Sequence, residues 1–219
     1  MTMRARADLV DTAKKMSALG LTPGMSGNVS VRVPSGLLVT PSGMPYADLT
    51  PDDVVEIKAD GSIRPGQRAP STEWKLHHDI LAARTDVEAI VHTHSLFCTS
   101  ISTLRRSIPA IHYMVVLSGC DEIPCAEYAT FGSPELALNA VASLRGGNAC
   151  LLANHGMVAL GASLPAALRL AAEVETLANQ YWHAAQIGQP HILDGEELLK
   201  VRARFAEYGQ AKPRTRRSW

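Results

Sequence analysis

Residues 87–95 read VEAIVHTHS, and no other stretch says more about how the chain is built. Val87 to His92 is a short apolar run bounded by polar residues, the composition of a buried strand. Side chains two apart on a strand share a face, so His92 and His94 can turn both imidazoles toward one point at its end. Neutral imidazole suits zinc and its neighbours, and a catalytic zinc site needs only three protein ligands plus an open position. Two histidines at a polar strand end need no ion, however, and the pair taken alone favours that plainer reading. Residues 151–157, LLANHGM, add a histidine in the same context: His155 follows an apolar strand at Ala149–Ala153, and Gly156 permits a sharp exit toward a hairpin partner at Met157–Leu160. Glu73, in PSTEW, is the remaining ligand candidate; without a metal, its place in the first turn of a helix would serve the helix dipole.

Working outward, apolar residues recur at helical spacing from Ala5 to Leu19, and Gly20 supplies a stop. Asn28–Val33, Leu37–Thr40 and Val54–Lys58 read as strands joined by hairpin-like turns. Pro70-Ser71 opens a helix that runs through Ala83, with Ser71 as its N-cap. Further helices are expected at Ser95–Leu104, Ser133–Leu144, Leu164–Ile187 and Glu196–Tyr208. Strands and helices mix without a regular βαβ rhythm, which predicts one sheet covered by helices in a single domain. That domain is expected to span residues 1–210; residues 211–219, AKPRTRRSW, lack an apolar period and read as a mobile basic tail.

The 219 residues suit one core of ordinary size, and 46% hydrophobic against 19% charged residues is a globular balance rather than a disordered one. Lys plus Arg (21) equals Asp plus Glu (21), so no net field recruits nucleic acid or a membrane surface. An anionic ligand has to be held by local chemistry. Cys98, Cys120, Cys125 and Cys150 form no CxxC pair and are expected to be reduced. The N-terminal stretch carries charges through its apolar positions and has no signal-peptide core. The apolar run from Ala149 to Ala172 is interrupted by Asn154, His155, Gly161, Pro165 and Arg169, so a membrane span is not expected and a cytoplasmic location is.

Three segments could cradle an anion: Gly24-Met25-Ser26-Gly27-Asn28, Thr40-Pro41-Ser42-Gly43 and Ser71-Thr72. Glycines let backbone N–H groups approach a ligand, while hydroxyls and the Asn28 amide add directed donors. Each is also an ordinary turn, and only their convergence would make a pocket. His77 falls one helical turn after Glu73 without completing an HExxH pattern, so partly buried packing is its expected role. His78, His112, His183 and His191 have no spacing that singles them out.

Taken in order, GMSGNVSVR, LLVTPSGMPYADLT, PSTEWKLH, AIVHTHS, SIPAIHYM, IPCAEYATFG and LLANHGMVALG resemble the class II aldolase/adducin family, over nearly the whole chain apart from the basic tail. The resemblance implies an α/β fold, a three-layer α/β/α sandwich around a mainly antiparallel sheet, assembled as a homotetramer with active sites between subunits. It implies Zn2+, or another divalent ion such as Mn2+ or Co2+, held by His92, His94 and His155 with Glu73 as a fourth ligand. It implies phosphate contacts from Asn28, Ser42, Gly43, Ser71 and Thr72, with Ser26 and Gly27 nearby. Tyr113 and Tyr208 would reach the cleft from a neighbouring subunit, and Phe131 would line an aldehyde pocket. The implied reaction is cleavage of a ketose 1-phosphate, such as L-fuculose 1-phosphate, to dihydroxyacetone phosphate and a small aldehyde such as L-lactaldehyde, with Glu73 shuttling a proton and Tyr113 serving the aldehyde oxygen. A pentulose-phosphate 4-epimerase or another sugar-phosphate lyase could use the same scaffold. An adducin-like interaction module would have no need of the four ligands. One departure stands out: close members of the family carry a hydroxyl residue where this chain has Met25, and a thioether is a poor donor.

Overall fold

Alternation along the central strands feeds two cores, one on each face of a single sheet, in the computed structural model, which describes residues 2–207. The strands are β1 (Asn28–Val33), β2 (Gly36–Val39), β3 (Val55–Lys58), β4 (Ala89–Thr93), β5 (Cys125–Ala126), β6 (Ala149–Leu152) and β7 (Gly156–Gly161). They lie in the order β3-β2-β1-β4-β7-β6-β5. All pairings are antiparallel except β5 with β6.

In β4, Ala89 and Val91 enter one core, covered by α1 (Thr2–Ala18), α3 (Leu96–Ser102) and α5 (Leu164–Ile187). Ile90 enters the other, covered by α2 (Trp74–Ala83) and α4 (Pro134–Ser143). A last helix, α6 (Gly195–Glu207), sends Leu198 into the first core. Helices on both faces of a mainly antiparallel sheet make the three-layer sandwich that the sequence led us to expect. The period of two then dictates where the polar residues go. His92 shares the parity of Ile90 and faces the α2 layer, and register places Asn28 of β1 directly opposite it. Asn28 and Ser30 alternate with Val29, which lies in the other core, so they too face α2.

The structure corrects the expectation for α2. Its first residue is Trp74, with Glu73 as N-cap, rather than a start at Pro70-Ser71 with Ser71 capping. Pro41 and Pro70 form a β-bridge, and the Ser71 N–H donates to the Thr40 carbonyl at 3.0 Å. That pairing holds Ser71 extended at the sheet's end and delays the helix by one turn. The two-residue β5 was not anticipated, because so short a segment carries no period. All four cysteines are free. No helix among the described residues is long and apolar enough to cross a membrane. Tyr208 and the basic tail lie outside the described residues.

Ile90 is fully buried beneath the α2 layer. Ile90→Ala is expected to destabilise the protein by about 2–5 kcal/mol, the range for large-to-small core substitutions, measured by urea unfolding. A loss well below that would show that the layer collapses onto the gap.

Candidate active site

Four side chains from distant parts of the chain meet at one end of the sheet. His92 lies near the end of β4, His94 just beyond it, His155 in the turn from β6 to β7, and Glu73 at the N-cap of α2. One ligand atom from each falls within 4.8 Å of all the others. Glu73 Oε2 is 3.1 Å from His92 Nε2, and Glu73 Oε1 is 3.2 Å from His155 Nε2. His92 Nε2 and His94 Nε2 are 3.1 Å apart. The Nδ1–H of His92 donates to the Met157 carbonyl at 2.9 Å, which turns its Nε2 lone pair into the cluster.

This donor set fits a divalent metal ion. Two imidazole lone pairs facing at such a distance repel unless a proton or a cation lies between them. The buried Oε1 of Glu73 also has no well-aligned hydrogen bond. Three imidazole nitrogens and a carboxylate form a set suited to zinc or a similar ion. The electrostatics agree. Burial opposes ionisation of Glu73, yet the charge of His92 and hydrogen bonds from His155 and His92 hold its carboxyl far below the usual range. Burial likewise opposes a charged His92, but the Glu73 carboxylate raises its pKa above the ordinary value. His94 is pushed down to about 4, by burial first and then by His92 and His155, so it stays neutral and available as a ligand near neutral pH.

Two glycines permit the convergence. A Cβ on Gly27, whose φ is +76°, would sit 2.6 Å from the His92 carbonyl oxygen. A Cβ on Gly156 would sit 2.2 Å from the Thr93 carbonyl oxygen and close to the His94 ring. Any larger residue at either position would push a loop off the end of β4. Beyond His94, helix α3 is anchored by Glu175 of α5, whose carboxylate accepts the Phe97 and Cys98 N–H groups at 2.9 Å each.

The cluster opens into a cleft lined by all seven residues of the expected anion cradle: Ser26, Gly27, Asn28, Ser42, Gly43, Ser71 and Thr72. Asn28 Nδ2 donates to Ser71 Oγ at 2.9 Å and to Glu73 Oε2 at 3.1 Å, joining the cradle to the cluster. No lysine or arginine is among the described lining residues, so an anion there meets neutral donors. Met25 and Phe131, both exposed, line the cleft together with Tyr128.

Sequence reasoning missed several residues. The Tyr46 hydroxyl donates to the Gly27 carbonyl at 2.6 Å and shapes the cradle from below; burial, then the Glu73 charge, drives its pKa upward. Tyr128 and Asn154 line the cleft. His77 is not partly buried packing but fully buried, bonded to Asn28 and Ser30. Its spacing of four from Glu73, under a strand with two polar residues on one face, was the available signal. The structure does not bring Tyr113 to the cleft within one chain: it lines a separate hollow with Met114, Val201, Arg204 and Phe205.

His94→Ala is expected to lower bound zinc measured by elemental analysis after dialysis, while His183→Ala, remote from the cluster, leaves it unchanged. Full occupancy in His94→Ala would remove His94 from the ligand set.

The family model for the class II aldolase and adducin N-terminal domain matches residues 7–182. The chain is 52% identical over 204 residues to a 5-methylthioribulose-1-phosphate/5-deoxyribulose-1-phosphate aldolase of Rhodospirillum rubrum, covering 93% of this chain and 92% of that one. It is 44% identical over 202 residues to the L-fuculose phosphate aldolase of Escherichia coli, covering 92% and 94%. A solved L-fuculose 1-phosphate aldolase superposes with a TM-score of 0.89 at 36% identity, over 93% of this chain and 96% of that one. Fold, family model and relatives covered almost end to end all agree: the chain belongs to the class II aldolase and adducin family.

Proposed function

We propose that the protein is a divalent-metal-dependent aldolase that splits a ketose 1-phosphate between its third and fourth carbons, giving dihydroxyacetone phosphate and a small aldehyde. One observation carries this reading: a carboxylate packed against three converging imidazoles at one end of a cleft whose other end is a cradle of neutral donors. A non-enzymatic module would have no use for a buried charge held in this way.

His92, His94 and His155 hold the ion, with Glu73 as the fourth donor in the resting protein. A bound zinc, manganese or cobalt ion supplies Lewis-acid polarisation of the substrate carbonyl, the chemistry that cleavage of the adjacent carbon–carbon bond requires. Asn28, Ser71, Thr72, Ser42 and the Gly27 and Gly43 backbone hold and orient the phosphate. As the bond breaks, the hydroxyl on the fourth carbon gives up its proton and the bonding electrons pass to the third carbon and into the carbonyl at the second. Glu73, buried beside the reacting end of the cleft and ionised at rest, relays a proton taken up from water to that third carbon. Tyr113 relays the hydroxyl proton to water, accepting it as its own phenolic proton leaves, only if a second copy of the chain presents it, so the proposal includes a homotetramer with sites between subunits.

For the substrate's far end we favour an apolar group, as in 5-deoxyribulose 1-phosphate or 5-methylthioribulose 1-phosphate. Support comes from the 52% identical relative and from the Tyr128, Ala129 and Phe131 wall. Cleavage of these ketoses releases acetaldehyde or its methylthio derivative. L-Fuculose 1-phosphate, whose aldehyde bears a further hydroxyl, is the second reading, supported by the 44% identical relative.

Release of dihydroxyacetone phosphate should be followed from all three ketose phosphates, with metal-loaded and chelator-stripped protein in parallel. Metal-dependent release is expected, with kcat/KM higher for the two deoxy substrates than for L-fuculose 1-phosphate. The reverse order would reinstate fuculose phosphate, and no release from loaded protein would sink the aldolase reading. Glu73→Gln is expected to retain substantial metal and lose turnover by on the order of a hundredfold or more, the usual scale for a general acid–base group. Near-normal turnover would refute its role in proton transfer.

A further inference from the structure

We propose that His77 is a positioning residue for the anion cradle: it locks the Asn28 amide in the one orientation that aims its two N–H donors at Ser71 and Glu73, so that Ser71 is held at the cradle with its own hydroxyl proton free for a bound anion. That the anion is a substrate phosphate rests on the function proposed above; the locking itself does not.

Asn28, Ser30 and His77 are almost wholly excluded from solvent. The imidazole spans two side chains of the same parity on β1. One ring nitrogen, Nε2, bonds Asn28 Oδ1, and the other, Nδ1, lies 2.6 Å from the Ser30 hydroxyl. An asparagine amide is nearly symmetric in shape, so packing alone does not choose between its two flips. The charge of Glu73 chooses. With Nδ2 toward the site, it donates to Ser71 Oγ at 2.9 Å and Glu73 Oε2 at 3.1 Å. In the other flip an amide oxygen would face a carboxylate oxygen at that separation, two acceptors with no proton between them. Asn28 Oδ1 must therefore point at His77, and since it can only accept, the ring must donate from Nε2. Nδ1 then carries the lone pair and accepts the Ser30 hydroxyl proton. Burial, and then the charge of His92, pushes the His77 pKa down to about 3, which keeps the ring neutral and in this tautomer.

Without the imidazole, a buried amide oxygen loses its donor, and nothing on that side resists rotation of the Asn28 side chain. The loss appears at the cradle, where Asn28 holds the Ser71 hydroxyl, rather than at the imidazoles that would hold the ion. A residue that merely filled space under β1 would affect stability without coupling to Asn28.

The test uses the metal-loaded full chain and inorganic phosphate as probe. Phosphate affinity is measured by calorimetry for the wild type, His77→Leu, His77→Gln, Asn28→Ala and the His77→Leu/Asn28→Ala pair, with bound metal and Tm recorded for each. His77→Leu is expected to weaken phosphate by on the order of tenfold or more, the scale for a lost supporting hydrogen bond, with metal content unchanged. His77→Gln, which keeps an N–H donor, is expected to restore most of that loss, and the double variant to bind no more weakly than Asn28→Ala alone. Unchanged affinity in His77→Leu, or losses that add in the double variant, would overturn the proposal. Nitrogen NMR shifts of His77 in the wild type provide a readout that needs neither phosphate nor a folded variant. The Nε2–H tautomer is expected near neutral pH, and the Nδ1–H tautomer would overturn the proposal. Failure of the wild type to bind phosphate would count against the phosphate reading alone, and the tautomer would then decide the role of His77.

Discussion

The buried carboxylate of Glu73 is the constraint around which the site is built. A charge taken out of water has to be met from several directions, or it protonates. Here His92 approaches one oxygen, His155 the other, and Asn28 donates from the cradle side. The same carboxylate dictates the Asn28 flip, the His77 tautomer and the raised pKa of His92. It also keeps the cluster electron-rich, which is what a divalent cation needs.

Layer geometry makes this possible. The period of two in β4 sends Ala89 and Val91 to one core and Ile90 to the other, so His92 inherits the face on which α2 begins. The antiparallel pairing of β1 with β4 sets Asn28 across from His92, and the pairing of β7 with β4 brings the β6–β7 turn, with His155, to the same end. Gly27 and Gly156 let both flanking loops press against the backbone of β4. Packed cores on both faces hold β4, β6, β7 and α2, and the four side chains of the cluster project from these elements or from the short segments at their ends.

At the same end, two residues of the rim take unusual backbone conformations. Arg105 and Asn154 both adopt left-handed backbone conformations, at φ of 53° and 54°, which non-glycine residues seldom occupy. Arg105 Nε donates to Asn154 Oδ1 at 3.0 Å, and its guanidinium lies 5.7 Å from the centre of the Tyr128 ring. Asn154 precedes His155 of the cluster, and Tyr128 lines the cleft, so this pairing braces that side of the cleft. The cradle, by contrast, relies on neutral donors, and an ion in the cluster would add the positive charge that its lining lacks.

The sequence by itself determined most strands and most helices, because each rests on a local period: Asn28–Val33 and Leu164–Ile187 were read to the residue. It also marked His92, His94, His155 and Glu73 as candidates and gathered the seven cradle residues, since chemical type, strand-end context and glycine content are written locally. The start of α2 was misread because Ser71 is claimed by a backbone bond to Thr40, thirty-one positions earlier. His77, Tyr46 and Tyr128 were missed for the same reason: their partners lie far away in the chain, and no pattern on one segment records them. Only tertiary structure decided that the candidates converge, which oxygen of Glu73 meets which imidazole, and that a buried histidine steers Asn28. Those facts depend on register and on packing between layers, which a linear pattern constrains but does not contain.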